Sequence, residues 1–492
     1  MKKKLLYTLL ISFGILAILI ISANLLLPSF IEKKIRKQVS EYNLDIGKTY
    51  VNVLTRNISF EDVHISNEKK DSAFIENIDI ESIALQNLFK PDTFKIGTVY
   101  VNNAKGFLQK KEKSTKKNSA KPFKISIENI QVENSEIKYK TDTIKDPISV
   151  KNIAFYISDF LFDSEIDSQS KFNFDEITLS CDSLLLPINE HLNFTTENIS
   201  ATNDRIKFSH SGITTLYSKQ ELQKHVKVQT DWIALSIDSI TIDEFKKDKN
   251  GARDLFKSPR IGIYSGDLEI YKNKLLPPPN KYKPLYSKAL RQLPFDLKID
   301  SILIHDTKIK YAERVKNHDK PGSIVFTEIN SSIAHLNTLE NSGKTEIDIT
   351  SKFMGDADFE LLWDFDINNE NDYFTLHGNM KRLNAEKINE FVKPNMNVIT
   401  EGSIDSIIFD LFANEDNATG TFLMQYDHFK LSILQKDKKV VNKFVTSIAN
   451  IFIPKDKHKS KKVHIEIERN KEKSFFNYFW LSVREGVKQT FL

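Results

Sequence analysis

One short apolar pattern, Φ-x-Φ-x-x-Φ-x-Φ (Φ apolar), recurs along most of the chain and restricts the fold more than any other feature. Ile58, Phe60, Val63 and Ile65 fit it, as do Ile78, Ile80, Ile83 and Leu85, then Phe94, Ile96, Val99 and Val101. Further copies are Ile125, Ile127, Ile130 and Val132; Phe172, Phe174, Ile177 and Leu179; Leu235, Ile237, Ile240 and Ile242; and Leu297, Ile299, Ile302 and Ile304. Alternation at period two marks a strand with one apolar face. A two-residue gap sends the later apolar residues to the opposite face. Keeping all four on one side calls for an extra residue, a β-bulge, which also bends the strand. The gaps carry an acid with a polar neighbour: Glu61-Asp62, Glu81-Ser82, Glu128-Asn129, Asp175-Glu176, Asp238-Ser239 and Asp300-Ser301. Two-residue hairpins are the alternative, but those turns favour Asn-Gly or Gly-X and would leave arms of about three residues. Bent strands fit better.

Ahead of these strands, Lys2, Lys3 and Lys4 precede an uncharged run, Leu5 to Leu27, that includes Leu5, Leu6, Ile11, Leu16, Ile20 and Leu27. At about 1.5 Å per residue, such a helix crosses a hydrocarbon core about 30 Å thick. A cleaved signal peptide is the competing reading, yet the run exceeds the usual ~7–15 residues and no A-x-A site follows it. Ser22-Ala23-Asn24 is a poor substitute, and no cysteine follows for lipoprotein anchoring. An uncleaved signal anchor is expected, with the short basic tail in the cytoplasm and the body outside it. Lys33, Lys34, Arg36 and Lys37 on the far side nearly balance the start. From Pro28 to Tyr42, Phe30, Ile31, Ile35 and Val39 form one helical stripe, expected at the membrane surface with the lysines toward headgroups.

The strongest internal repeat is 172 residues apart: PFKISIENIQVENSEIKY, Pro122 to Tyr139, against PFDLKIDSILIHDTKIKY, Pro294 to Tyr311. Each is followed by another alternating strand, Ile148 to Ile157 and Ile324 to Ile333, so one supersecondary unit is used twice. Strands are expected from about Tyr50. Leu275-Leu276-Pro277-Pro278-Pro279 breaks the pattern, and Leu285 to Leu293 fits a short helix. The expected division is a span over 1–30, a first β half over 31–276, a Pro-rich linker and short helix over 277–294, a second β half over 295–440 and a C-terminal cap over 441–492. Gln109 to Lys121 and Lys455 to Lys462 are lysine-rich and loop-like. In the cap, Val441, Phe444, Val445, Ile448 and Phe452 share one helix face, and Phe476, Phe479, Trp480, Val483 and Val487 another. Core packing is the expected fate of both stripes; a place at the membrane surface, which Trp480 suits, is the alternative.

Chemistry is sparse. Net charge is +4 over 492 residues and no aromatic-rich basic module appears, which argues against a nucleic-acid partner. Glycines number 15, so turns rest mainly on Asn, Asp and Ser. The lone Cys181 excludes an internal disulfide and a cysteine-rich zinc site, and it follows Ile177 and Leu179 as a buried structural thiol. No metal-ligand spacing occurs among the histidines, and His305 reads as an ordinary strand residue. Gly47-Lys48-Thr49 and Gly343-Lys344-Thr345 lack the upstream glycine of a phosphate loop and read as turns. Carboxylates at the gaps recur at every copy, which makes them architectural rather than catalytic. No enzyme activity and no cofactor are expected.

The basic tail and span, Lys2 to Leu27, and the unit Ile78-x-Ile80-x-x-Ile83-x-Leu85-x-x-Leu88-Phe89, then Phe94-x-Ile96-x-x-Val99-x-Val101, resemble the AsmA-like and TamB-like proteins of bacterial envelopes. These belong to the repeating β-groove lipid-transfer superfamily. The resemblance is one of pattern over about 1–430. It implies a mainly β fold: an inner-membrane helix, then an elongated, curved, antiparallel, taco-like groove in the periplasm with short C-terminal amphipathic helices. It also implies phospholipid or other acyl lipid as partner, movement toward the outer membrane, and possible envelope protein partners. Candidate groove-lining residues are Ile125, Ile127, Ile130, Val132, Leu297, Ile299, Ile302 and Ile304. Lys33, Lys34, Arg36, Lys37 and Trp480 are candidates for the membrane surface. A membrane-tethered scaffold with closed, filled cores is the alternative.

Overall fold

The structure is a computed structural model that describes residues 2–38, 42–67, 71–88, 93–109, 123–141, 146–166, 172–316, 320–340, 342–434 and 459–491. The chain is mainly β and forms two compact units, Met1–Phe208 and Ser209–Leu492. In the N-terminal unit, helix α1 (Lys2–Gln38) leads to β1 (Asn43–Asn52), β2 (Asn57–Ser66), β3 (Ser72–Glu81), β4 (Thr93–Gln109) and β5 (Lys124–Lys140). There follow β6 (Ile148–Asp163), the two-residue β7 (Phe172–Asn173), β8 (Ile177–Pro187) and β9 (Leu192–Ala201). The boundary between units falls inside β10 (Arg205–Thr215).

The C-terminal unit continues with α2 (Leu222–His225), β11 (Asp231–Asp243), β12 (Lys246–Asn250), β13 (Arg253–Asn273), α3 (Tyr286–Arg291), β14 (Asp296–Arg314), β15 (Gly322–Asn337) and β16 (Lys344–Phe353). Then come β17 (Ala357–Asp366), β18 (Phe374–Asn384), α4 (Asn389–Met396), β19 (Val398–Ala413), β20 (Asn417–Ile433), β21 (Lys459–Glu468) and α5 (Phe475–Phe491).

Most neighbours are antiparallel, but β4–β5 and β13–β14 are parallel, so the sheet is mixed rather than the expected antiparallel one. The cause is in the connections. A parallel neighbour requires the chain to return the length of the strand, and residues 110–123 and 274–295 supply that return. These are the lysine-rich and proline-rich segments, and each delivers the Pro-Phe that opens one copy of the repeat. Of the first segment, 110–122 lie outside the described residues. So does the expected helix at Val441, Phe444, Val445, Ile448 and Phe452.

The repeat extends to backbone conformation. Asn134 and Asp306, equivalent in the two copies, have φ of 51° and 46°. On the preceding strands Asn103 and Ser265 have 52° and 54°; on the following strands Asn152 and Glu328 have 51° and 52°, and Asp159 and His335 have 49° and 57°. Left-handed backbone is uncommon outside glycine and is most tolerated by Asn and Asp.

These residues keep the gapped pattern on one face, though not by the expected means. At Asp62 (φ 54°), Phe60 and Val63 both face the cluster around Ile46. Yet Ile46 pairs with Val63 and Lys48 with Glu61, so both strands have equal residue counts across the gap. The partner strand bends in step, and no extra residue is inserted. Gly47 stands opposite Asp62, and a Cβ there would lie 2.9 Å from the Asp62 Cβ. Gly47-Lys48-Thr49 is therefore strand interior, correcting the expected turn, whereas Gly343 (φ 80°) does precede a strand. At the gaps Glu128-Asn129, Asp238-Ser239 and Asp300-Ser301, the left-handed residue sits on the neighbouring strand, as Asp159, Ser265 and His335. Register shifts do occur elsewhere, as at Val132/Ser135 and Ile304/Thr307. At Asp175-Glu176 the strand breaks between β7 and β8.

α1 runs past the expected span and docks on β1. Ile31 and Ile35 pack against the cluster of Ile46, Phe60 and Val63, so these two of the stripe meet protein, whereas Phe30 is exposed and Val39 lies outside the described residues. Val53 N–H donates to the Asn24 side chain at 3.0 Å, Thr49 donates to Glu32 at 2.5 Å, and Arg36 donates to the Leu44 carbonyl. Strands begin at Asn43, earlier than expected.

Candidate functional site

Cross-strand register aligns the apolar residues into rows. In the N-terminal unit one row runs Val51, Ile58, Ile80, Val99, Ile130, Ile157, Ile177; the next runs Phe60, Ile78, Val101, Val132, Phe155, Leu179. Nearer one end of the strands, Ile96, Ile127 and Phe160 align, as do Phe94, Ile125 and Phe162. Of the candidate lining residues here, Ile125, Ile127, Ile130 and Val132 share one strand face, and all four are half-buried. Among the described residues of this unit, the buried apolar side chains are few: Ile46, Phe60 and Val63 beside α1, and Ile153, Cys181 and Ile199 farther along.

The opposite face is polar. Tyr100, Gln131, Tyr156 and Thr178 align there. Tyr100 donates to Glu133 at 3.0 Å and Tyr156 to Asn129 at 2.6 Å. The bond to the Glu133 carboxylate, reinforced by burial, holds the Tyr100 phenol above its ordinary pKa. One face is therefore built of hydrocarbon and the other of hydrogen-bonded polar groups.

In the C-terminal unit a row runs Ile261, Ile302, Ile333, Ile347, Trp363, Leu376, Leu411, Gly420, Ile465. Its start is half-buried, but Leu376 and Leu411 are 1% exposed and Ile465 is fully buried. α5 covers this end. Phe475 stacks on Trp363 with centroids 4.5 Å apart, Phe479 lies 5.6 Å from Phe409, and Gly486 sits so close to Phe422 that a Cβ would lie 2.4 Å from the ring. Leu285, at the start of the short helix in the Pro-rich connection, joins the same core. Leu297, Ile302 and Ile304 are half-buried, whereas Ile299 is buried.

The core-packing expectation holds for α5, but the buried stripe is Phe475, Tyr478, Ser482, Gly486 and Thr490, with Phe479, Val483 and Val487 partly buried beside it. Phe476 is exposed, and Trp480 is half-exposed, edge-on to Phe391 of α4. Sequence reasoning missed α4. Its signals were Asn384, which caps the preceding turn by accepting from Glu386 N–H, and Asn397 in left-handed conformation at its end.

Cys181 is buried, and burial raises its thiol pKa, as a structural cysteine requires. His305 is exposed and stacks on Tyr264 at 5.2 Å. Among the described residues, Lys33, Lys34 and Lys37 are exposed, while Arg36 is tied to β1. Ile15–Lys37 of α1 is apolar and long enough to cross a membrane, and no residue of its most apolar stretch is fully buried. In that segment lie Leu16, Ile20 and Leu27, while Leu5, Leu6 and Ile11 belong to the helix's first turns. No protein-family model matches the chain, and no curated protein matches it.

Proposed function

We propose that the chain is a non-enzymatic, membrane-anchored holder of acyl lipid, of the AsmA-like kind, with α1 in the inner membrane, its N-terminus cytoplasmic and its β body in the periplasm. The observation that carries this reading is the set of half-buried apolar rows in the N-terminal unit, backed by a polar face. Burial is worth about 0.8 kcal/mol per CH₂, so a sixteen-carbon chain loses on the order of 12 kcal/mol on entering water. An apolar face continuous across strands offers the chain a similar environment at each strand and leaves its headgroup wet. On this reading the protein assists phospholipid transport toward the outer membrane and so supports envelope integrity.

The test is native mass spectrometry of the full chain released from lipid nanodiscs. Retained phospholipid in wild type, lost in Ile127→Asp, supports the reading; a lipid-free wild type, or unchanged retention in Ile127→Asp, overturns it. Ile299→Asp is the poorer probe because Ile299 is buried and the change damages the fold itself.

A second reading, a membrane-tethered scaffold for envelope protein partners, draws on the filled core under α5. A wild type without lipid but with a cooperatively melting body favours it.

A further inference from the structure

The N-terminal unit has two rims of strand ends, and they differ. At the rim where β1 ends and β2 begins, the turn exposes Val53 and Leu54, the latter 71% exposed. Along the same rim, Leu85 is 62% exposed between β3 and β4, Phe94 projects at the start of β4, and Leu161, Ile166, Phe172 (58%) and Phe174 follow at the end of β6 and around β7. Backbone bonds confirm the adjacency: Ile83 N–H donates to the Arg56 carbonyl and Ala84 N–H to that of Lys95. The other rim exposes fewer large apolar residues, chiefly Leu108, Ile137 and Ile188 among the described residues.

α1 leaves the body at the first rim. It lies against β1 in the opposite sense, with Glu32 at Thr49 and Asn24 at Val53, so the helix before Asn24 continues past the Val53 end. The uncharged run ends at Leu27, about one helical turn after Asn24. The Val53–Arg56 turn is therefore held at the depth where the apolar span gives way to headgroups.

We propose that this rim, centred on Leu54 and Leu85, docks into the interface of the bilayer that α1 crosses, and that the apolar rows of the N-terminal unit start at that lipid surface. The inference rests on α1 spanning a membrane, and not on lipid carriage. Exposed apolar side chains beside a span gain by entering the headgroup–acyl boundary, and Arg56 in the same turn reaches phosphate. Glu165, Asp175 and Glu176 flank Ile166 and Phe174, so contact is deepest next to α1 and shallower at Phe172.

The test uses the full chain in vesicles of phosphatidylethanolamine and phosphatidylglycerol, with an environment-sensitive fluorophore on single introduced cysteines and nitroxide-bearing phospholipid as quencher. Cys181 stays in place because it is buried. Leu54→Cys and Leu85→Cys are expected to be quenched about twofold, Phe172→Cys less, and Leu108→Cys and Ile188→Cys hardly at all. Equal quenching at both rims, or none at Leu54→Cys and Leu85→Cys, overturns the proposal. Ile18→Cys, in the span, separates the failures. Quenching there without quenching at Leu54→Cys sinks the docked rim alone, and none at Ile18→Cys sinks the membrane span with it.

Discussion

The two units use the same strand pattern to different ends. In the N-terminal unit the apolar rows remain half-buried, and among the described residues two small clusters are buried. Toward the end of the C-terminal unit, equivalent rows are sealed by α5 and by aromatic side chains at Trp363, Phe374, Phe409, Phe422 and Phe475. An apolar strand face thus specifies a surface in need of cover and leaves the source of that cover open. Here one part of the molecule carries its own filling, and the other leaves its apolar rows half-buried among the described residues.

Substitutions in the sealed region provide the sharpest contrast. Phe422→Ala is expected to cost about 3–5 kcal/mol, because its ring is fully buried against Gly486. Chemical denaturation of the full chain should show the loss in the C-terminal unit alone. Gly378→Ala places a Cβ 1.9 Å from the Phe409 ring and should cost about 1–3 kcal/mol in the same transition.

In the N-terminal unit, Ile130→Ala is expected to shift the melting transition less than Phe422→Ala, since its side chain is already half-exposed. A loss as large as that of Phe422→Ala would show that the N-terminal rows are a filled core after all, and would erase the difference between the units. The bends offer a subtler comparison. Asn134→Val forces a β-branched residue into left-handed backbone at a cost of about 1–3 kcal/mol, whereas Asn134→Gly should be close to neutral. Equal losses in both would assign the position's value to its bond from Asn134 Nδ2 to Asn102 at 2.9 Å.

The smallest effect concerns pH. Burial pushes the Asp364 carboxyl up, but hydrogen bonds from Lys344 at 2.8 Å and from Thr375 outweigh it and hold the group below the ordinary carboxylate range. With a lowered folded pKa, its stabilisation is present above about pH 4 and fades as pH falls through the folded value. The group is partly exposed, so Asp364→Asn should cost less than about 1 kcal/mol at pH 7 and progressively less as the pH falls below about 4. A pH-independent loss would assign the effect to packing.

Strand content, the apolar N-terminal helix, the repeat and the buried Cys181 were legible because each rests on local periodicity or composition. Phe60 and Val63 lie on one face as the gapped pattern requires. The in-step bend was not legible, because it depends on which residue stands across the gap: Asp62 bends its own strand, whereas for Asp300 the left-handed residue is His335 on the next one. Parallel pairing was equally hidden. Segments 110–123 and 274–295 read as loop and linker, and nothing in their residues announces that the chain comes back to the same end. Among the lining candidates, Ile127 and Ile299 look alike in sequence, and their difference in burial comes from neighbours far along the chain.

Where facing strands turn together with equal residue counts, each strand's register is tied to its neighbours while the number of strands is free. Inserting or deleting one residue between Phe60 and Val63 would throw its strand out of step with Ile46 on one side and Ile75 on the other. Adding a whole hairpin would merely extend the array by two more members. Such a body can grow as a fence grows, by further palings, and the copy at Pro294 to Tyr311 sets the same section into it a second time.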